Sequence, residues 1–128
     1  MKTTQNSPFQ RYILVVFAML IGGCATPVSY TNKPMKQYDK TTAYHVESHA
    51  DGFTLVVNYS RYQFFPESAS VAMAGKSALL VIAHETAQAS GKRLQQINEQ
   101  TIKMSMGRSA WSGITSWSGM VRVFYAPD

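Results

Sequence analysis

"DGFTLVVNYSRYQFFPESASVAMAGKSALLVIAHETAQASG" (residues 51–91) carries two hydrophobic periods that meet at a single proline. On the near side, Phe53, Leu55, Val57 and Tyr59 alternate with Thr54, Val56, Asn58 and Ser60. A period of two marks a strand with one apolar face. Asp51-Gly52 in front of it reads as a turn in which Gly52 takes a positive φ, with "YHVES" (44–48) as the partner strand of a hairpin. Pro66 stops the strand. From Glu67 to Ser90 there is no further proline, and Ala, Leu and Gln are abundant. An acid at the start, Gly91 at the end and Lys92-Arg93 just past it fit the polarity of a helix.

Two stripes run along that helix. Val71, Ala74, Ala78, Val81 or Ile82 and Ala89 form one, and Met73, Leu79, Leu80, Ala83 and Ala87 form the other. The middle, "ALLVIA", is apolar nearly all round, which predicts a heavily covered helix with a sheet on one side. Beyond it, Ile102, Met104 and Met106 alternate with Lys103 and Ser105, predicting a third strand. "GMVRVFYA" (119–126) predicts a fourth. The expected fold is α+β: a small four-stranded antiparallel sheet with one long helix on one face, in the order strand-strand-helix-strand-strand.

The chain is 128 residues long, 45% hydrophobic and 15% charged, so it suits one small folded domain. Its formal charge is +5. Two of the basic residues, Lys2 and Arg11, precede Cys24, and no acid does. From Cys24 onward ten basic residues face seven acidic ones, a net +3 without a basic cluster, which argues against nucleic acid as a partner. Cys24 is the only cysteine, so no internal disulfide forms.

Residues 1–11 are basic and polar, and Tyr12 to Ile21, "YILVVFAMLI", is uncharged. Ten residues are too few to span a bilayer core, which takes about 20. They match the apolar region of a signal peptide. Ile21-Gly22-Gly23-Cys24 then places an aliphatic residue, two small residues and a thiol in sequence. This segment resembles the lipobox of bacterial lipoprotein precursors. The resemblance implies a signal peptide over residues 1–23, cleavage before Cys24 and lipid attachment at that thiol, with palmitate among the acyl chains. Ala25, standing where Asp retains such proteins at the inner membrane, implies an outer-membrane lipoprotein facing the periplasm.

Residues 24–43 mix Pro27, Pro34, Asn32, Thr and Lys without apolar periodicity. They predict an acylated cysteine followed by a flexible tether, and residues 44–128 the α+β domain.

Several patterns invite chemistry. "AGKS" (74–77) is part of a phosphate-loop signature, but Ser70 stands at its first glycine position and the segment lies inside the helix. Gly75 reads better as a point of close helix–sheet approach. His45, Glu47 and His49 share one side of a strand, a spacing open to metal, although exposed polar residues beside a turn are the simpler reading. His84-Glu85 has no partner serine or cysteine, and Ser109, Ser112, Ser116 and Ser118 sit in no nucleophile pattern. No enzyme and no cofactor is expected. Met104-x-Met106 places two thioethers on one side of a strand, a soft Cu(I) or Ag(I) site or three core positions counting Ile102. "WSGITSWSG" (111–119) repeats Trp-Ser-Gly. Trp111 and Trp117, with Arg108 beside them, either pack under a loop or form a partner-binding surface.

The function expected from these readings is a non-catalytic, lipid-anchored envelope protein. The bilayer would hold it through Cys24, and a protein of an envelope or secretion assembly, or peptidoglycan, would be its partner. The alternative is a periplasmic carrier of a small ligand or of Cu(I)/Ag(I) using Met104 and Met106.

Overall fold

A computed structural model of the chain describes residues 27–127. They form an antiparallel sheet of five strands with one long helix across one face. In chain order these are β1 (Lys36–Gln37), β2 (Thr42–His49), β3 (Gly52–Tyr62), the helix α1 (Ser68–Ala89), β4 (Lys103–Arg108) and β5 (Ile114–Phe124), with a 3₁₀ turn at Glu99–Thr101 before β4. Across the sheet the order is β1-β2-β3-β5-β4. The final hairpin therefore places β5 against β3, and the pair runs in register from Gly52↔Phe124 to Tyr62↔Ile114.

Several expectations need correcting. The sheet has five strands, not four, and the order is strand-strand-strand-helix-strand-strand. The extra strand, β1, falls inside the segment read as tether, and β2 begins at Thr42. Lys36 and Gln37 are both exposed and polar, so a two-residue strand leaves no alternation to read. It is held instead by pairing with Ala43 and Tyr44, and by Asp39 Oδ1 accepting from Thr41 N at 2.8 Å in the turn. The last strand starts at Ile114 rather than Gly119 because Thr115, Trp117, Gly119, Val121 and Val123 already alternate inward. Serines between them disguised the strand as a loop. Finally, Ala50 and Asp51 make the β2–β3 turn, and Gly52 does not have a positive φ. Gly52 is a glycine because a Cβ there would collide with the Val123 carbonyl on β5.

The helix starts beyond Pro66 and closes at Gly91, whose φ of +68° permits a Schellman ending. Lys92 N donates to Ala87 O and Gly91 N to Gln88 O, each at 2.9 Å, satisfying carbonyls the helix would otherwise strand. At its start no side chain caps the helix. The Gln63 amide instead clasps Glu67, accepting from its N–H and donating to its carbonyl at 3.2 Å each. Val71, Gly75, Leu79, Ile82, Ala83 and Ala87 face the sheet, drawing on both expected stripes. The sheet covers one side as expected, but the helix is less heavily covered than its apolar middle predicts: Met73 is 71% and Val81 49% exposed, because a single sheet supplies only one covering layer.

Trp117 lies at the centre of the core, fully buried. A Cβ at Gly75 would stand 2.5 Å from its Cδ2 and Cε3 atoms, and one at Gly119 would collide with the far edge of the same indole. The ring thus fills space that two missing side chains leave, between the helix backbone and its own strand. Gly75 serves as the close-approach position its sequence context predicts. Phe53, Leu55, Val57, Val121 and Val123 surround this wedge on the sheet. The indole Nε1 has no hydrogen-bond partner there, a cost of about 1–3 kcal/mol set against the packing of the largest buried side chain.

Candidate interaction surfaces

At one end of the sheet, exposed aromatic side chains gather on three adjoining pieces of chain. Tyr62 ends β3, Phe64 and Phe65 lie in the link to α1, and Trp111 sits at the tip of the β4–β5 hairpin. Their exposures are 63%, 75%, 78% and 92%, and Ile114 beside Tyr62 is 40% exposed. Tyr62 pairs with Ile114 across the two central strands. Gly113, at φ +70°, leaves room for the Tyr62 ring, which a Cβ would meet at 2.7 Å. Phe64 and Phe65 contact each other edge to face, with centroids 4.9 Å apart.

A polar network beneath these rings fixes the link and the hairpin together. Gln63 N donates to Gly113 O at 2.9 Å, and Thr115 Oγ1 donates to Gln63 Oε1 at 3.0 Å. Arg108 reaches Thr115 Oγ1 and Gln63 O, each at 3.3 Å. Arg61 donates to Ser70 Oγ at 2.7 Å, tying β3 to the first turn of α1. Each neutral bond contributes about 1 kcal/mol and those from a guanidinium somewhat more. The consequence is a braced end that presents apolar side chains without losing its shape.

The expected site residues separate widely. Trp111 is free to touch another molecule. Arg108 is half-buried and committed to Gln63 and Thr115. Trp117 is fully enclosed between Gly75 and Gly119, so it drops out of the partner surface while the helix stays docked. Met104 and Met106 stand opposite Gly119 and Trp117 on the helix side of the sheet. Met106 packs against the core and Met104 is 41% exposed, so the two thioethers occupy different surroundings. His49 Nε2 lies 2.9 Å from Thr54 Oγ1. Among the described residues no three His, Cys, Asp or Glu side chains gather as a metal site. Lys76 and Ser77 are inside α1, which leaves the phosphate-loop pattern without a loop. Cys24 and the signal segment lie outside the described residues.

Tyr62, Phe64 and Phe65 escaped the sequence reading because they looked like the end of a strand. A signal was present: adjacent Phe64 and Phe65 before Pro66 cannot both face the core in an alternating strand, so one of them had to protrude.

A second feature is a hollow of about 440 Å³ between α1 and the β1–β2 edge, lined by Pro34, Lys36, Tyr38, Tyr44, Ile82 and Glu85 among others. The Tyr38 hydroxyl spans it, lying 3.0–3.1 Å from both Glu85 carboxylate oxygens. That bond to Glu85 holds the phenol proton and raises the Tyr38 pKa above its ordinary value.

The third is the outward side of α1. Between Ser68 and His84 its only charged residue is Lys76, and Met73 and Val81 project from it. No helix among the described residues is long and apolar enough to cross a membrane. Comparison with family models, with curated proteins and with solved structures finds no match to this chain.

Proposed function

We propose that this is a lipid-anchored cell-envelope protein, held at the outer membrane by acylated Cys24 and facing the periplasm, whose domain is a non-catalytic module that binds a protein partner. The anchor rests on the lipobox resemblance of Ile21-Gly22-Gly23-Cys24. The observation that carries the partner is the outward face of α1, where Met73 and Val81 remain exposed on a nearly uncharged helix. The core of a protein–protein contact is depleted of charge and enriched in Met and other apolar residues. A helix that its own domain covers on one side only presents such a surface.

The test is photo-crosslinking in intact envelopes with a benzophenone amino acid at Val81, compared with the same substitution at exposed Gln88. The expected result is a discrete protein adduct from position 81 alone, weakened by Met73→Glu. Equal, diffuse adducts from both positions would refute a helix-borne contact. Mass analysis of the mature N-terminus tests the anchor, and an unmodified Cys24 would overturn it.

A further inference from the structure

We propose that the braced aromatic end of the domain, Tyr62, Phe64, Phe65 and Trp111 with Ile114, is seated in the interface of the lipid bilayer. The proposal rests on the acylated-Cys24 reading above and adds an orientation to it. The first argument is the reach of the chain. Pro27 is fixed on the face of the sheet away from α1, lining one hollow with Lys40, Thr41, Ser60 and Ser116. The next residue is held too, Val28 N donating to Ser105 Oγ at 2.8 Å. Ser60 and Ser116 are a cross-strand pair, and two positions on, the next pair on the same face and the last of the two strands is Tyr62 and Ile114. Only two residues, Ala25 and Thr26, separate Cys24 from Pro27, a span of at most about 10 Å over three Cα–Cα steps. An acyl chain at Cys24 therefore brings this end of the sheet to the membrane. The opposite end, with His49 and Gly52, lies most of an eleven-residue strand farther away, about 30 Å.

The second argument is the chemistry presented there. Trp and Tyr concentrate at membrane–water interfaces, where an apolar ring and a polar edge are both accommodated. Side chains exposed by 75–92% protrude from two loops, Phe64 and Phe65 as an edge-to-face pair and Trp111 from the hairpin tip, as a membrane-inserted wedge needs. Arg61 and Arg108 stand just behind the rings, and Glu67 is the acid among them. Two cations at that depth favour the anionic headgroups of a bilayer. The network from Gln63 to Arg108 holds the two loops in fixed relation, so ordering them costs little on insertion.

The test uses the mature protein purified from membranes and reconstituted into phosphatidylethanolamine–phosphatidylglycerol vesicles carrying lipids brominated near the headgroup. Trp111 and Trp117 are the only tryptophans, and Trp111→Phe isolates the buried one. The expected result is loss of the Trp111 emission to the brominated lipid, with the Trp111→Phe protein unquenched. The pair Phe64→Ser and Phe65→Ser, both at exposed positions, diminishes the quenching while leaving the folded signal of Trp117 in place. Mass analysis of the same preparation reads the state of Cys24 independently. Quenching without an acyl chain would sink the anchor and leave the seated end standing. An acylated protein whose Trp111 is unquenched would overturn the seated end alone, and neither signal would overturn both. A protein adduct from a crosslinker at position 111 in envelopes, with no quenching in vesicles, would hand this end to a protein partner instead.

Discussion

Replacing Gly75 by alanine ought to stabilise an ordinary helix, because alanine is favoured over glycine by about 1 kcal/mol in a helix interior. Here it destabilises the domain. The new methyl would stand 2.5 Å from Trp117 Cδ2 and Cε3, where ordinary contact begins at 3.4 Å. The indole cannot retreat, since its far edge already occupies the place of a Gly119 side chain. The helix must lift by nearly the whole deficit, loosening Val71, Leu79 and Ile82 from the sheet. Overpacking of a well-filled core costs typically 1–3 kcal/mol, and a ring blocked on both sides belongs at the upper end. Subtracting the gain in helix propensity leaves a net loss of about 2 kcal/mol. For a domain of this size that lowers Tm by about 8–16 °C. Thermal and urea unfolding followed by far-ultraviolet dichroism measures it, with Ser77→Ala on the exposed side of α1 as the propensity control. Trp117→Phe in the Gly75→Ala background should recover part of the loss, showing that the two sites act on one another. A Gly75→Ala protein about 1 kcal/mol more stable than the parent would refute the wedge, for propensity alone predicts that result.

Other outcomes follow from individual contacts. In the detergent-solubilised protein, Trp111→Phe should remove a red-shifted emission that acrylamide quenches and leave a blue-shifted one from Trp117, as their 92% and 0% exposures require. Tyr38 should titrate above the ordinary tyrosine range in an ultraviolet pH titration, because its hydroxyl donates to Glu85, and Glu85→Gln should return it. The sign is that of a raised pKa: the stabilisation is present below the ordinary value of about 10 and disappears as pH rises through the raised one. Asp39 behaves oppositely. The Thr41 N–H and hydroxyl lower its pKa, so its contribution is present above about 3.9 and lost as pH falls through the lowered value, and Asp39→Asn should flatten the acid limb of the unfolding curve. Asp51 and Arg122 make a 2.6 Å ion pair with side chains 61% and 38% exposed. Asp51→Ala should cost under about 1 kcal/mol in urea unfolding, less at high salt.

The parts of the fold legible in the sequence are those where burial imposed a period. Phe53, Leu55 and Val57 announced β3, and the run from Ser68 to Ala89 announced α1, because each lays a continuous apolar face on the other. Strand β1 was not legible, since two exposed polar residues held by backbone pairing carry no pattern. The inward residues of β5 were obscured for a related reason. Gly119 has no side chain to mark its face, and it lacks one because Trp117 lies across it. The same substitution of space for side chain hid the true role of Gly52, which answers to a carbonyl on a strand about seventy residues away in sequence. Glycine used for close approach depends on tertiary partners, so local turn rules misread it.

Function was less legible than fold because sequence marks what is buried more firmly than what is left out. Trp111 and Trp117 stand in near-identical Trp-Ser-Gly contexts, yet one is the centre of the core and the other protrudes. Their difference comes from register. Trp117 occupies an inward row of β5 beneath a helix glycine, whereas Trp111 belongs to the five-residue connection before that strand begins. The apparent tether teaches the same lesson at larger scale. A spacer from Cys24 to Ala43 would let the domain roam some distance from the membrane, and partner capture would then depend on reach. With Pro27 and Val28 already laid on the sheet and Lys36–Gln37 paired into it, only Ala25 and Thr26 stand between Cys24 and chain that is already part of the fold. Reach gives way to orientation. Under the proposed acylation of Cys24, an anchor that short would set which end of the domain meets the lipid and which side of α1 stays open to a partner. Lengthening the stretch between Cys24 and Pro27 with Gly and Ser should therefore weaken Trp111 quenching by brominated lipid while leaving Tm unchanged. A quenching signal indifferent to that insertion would show that the aromatic end finds the bilayer without help from the anchor.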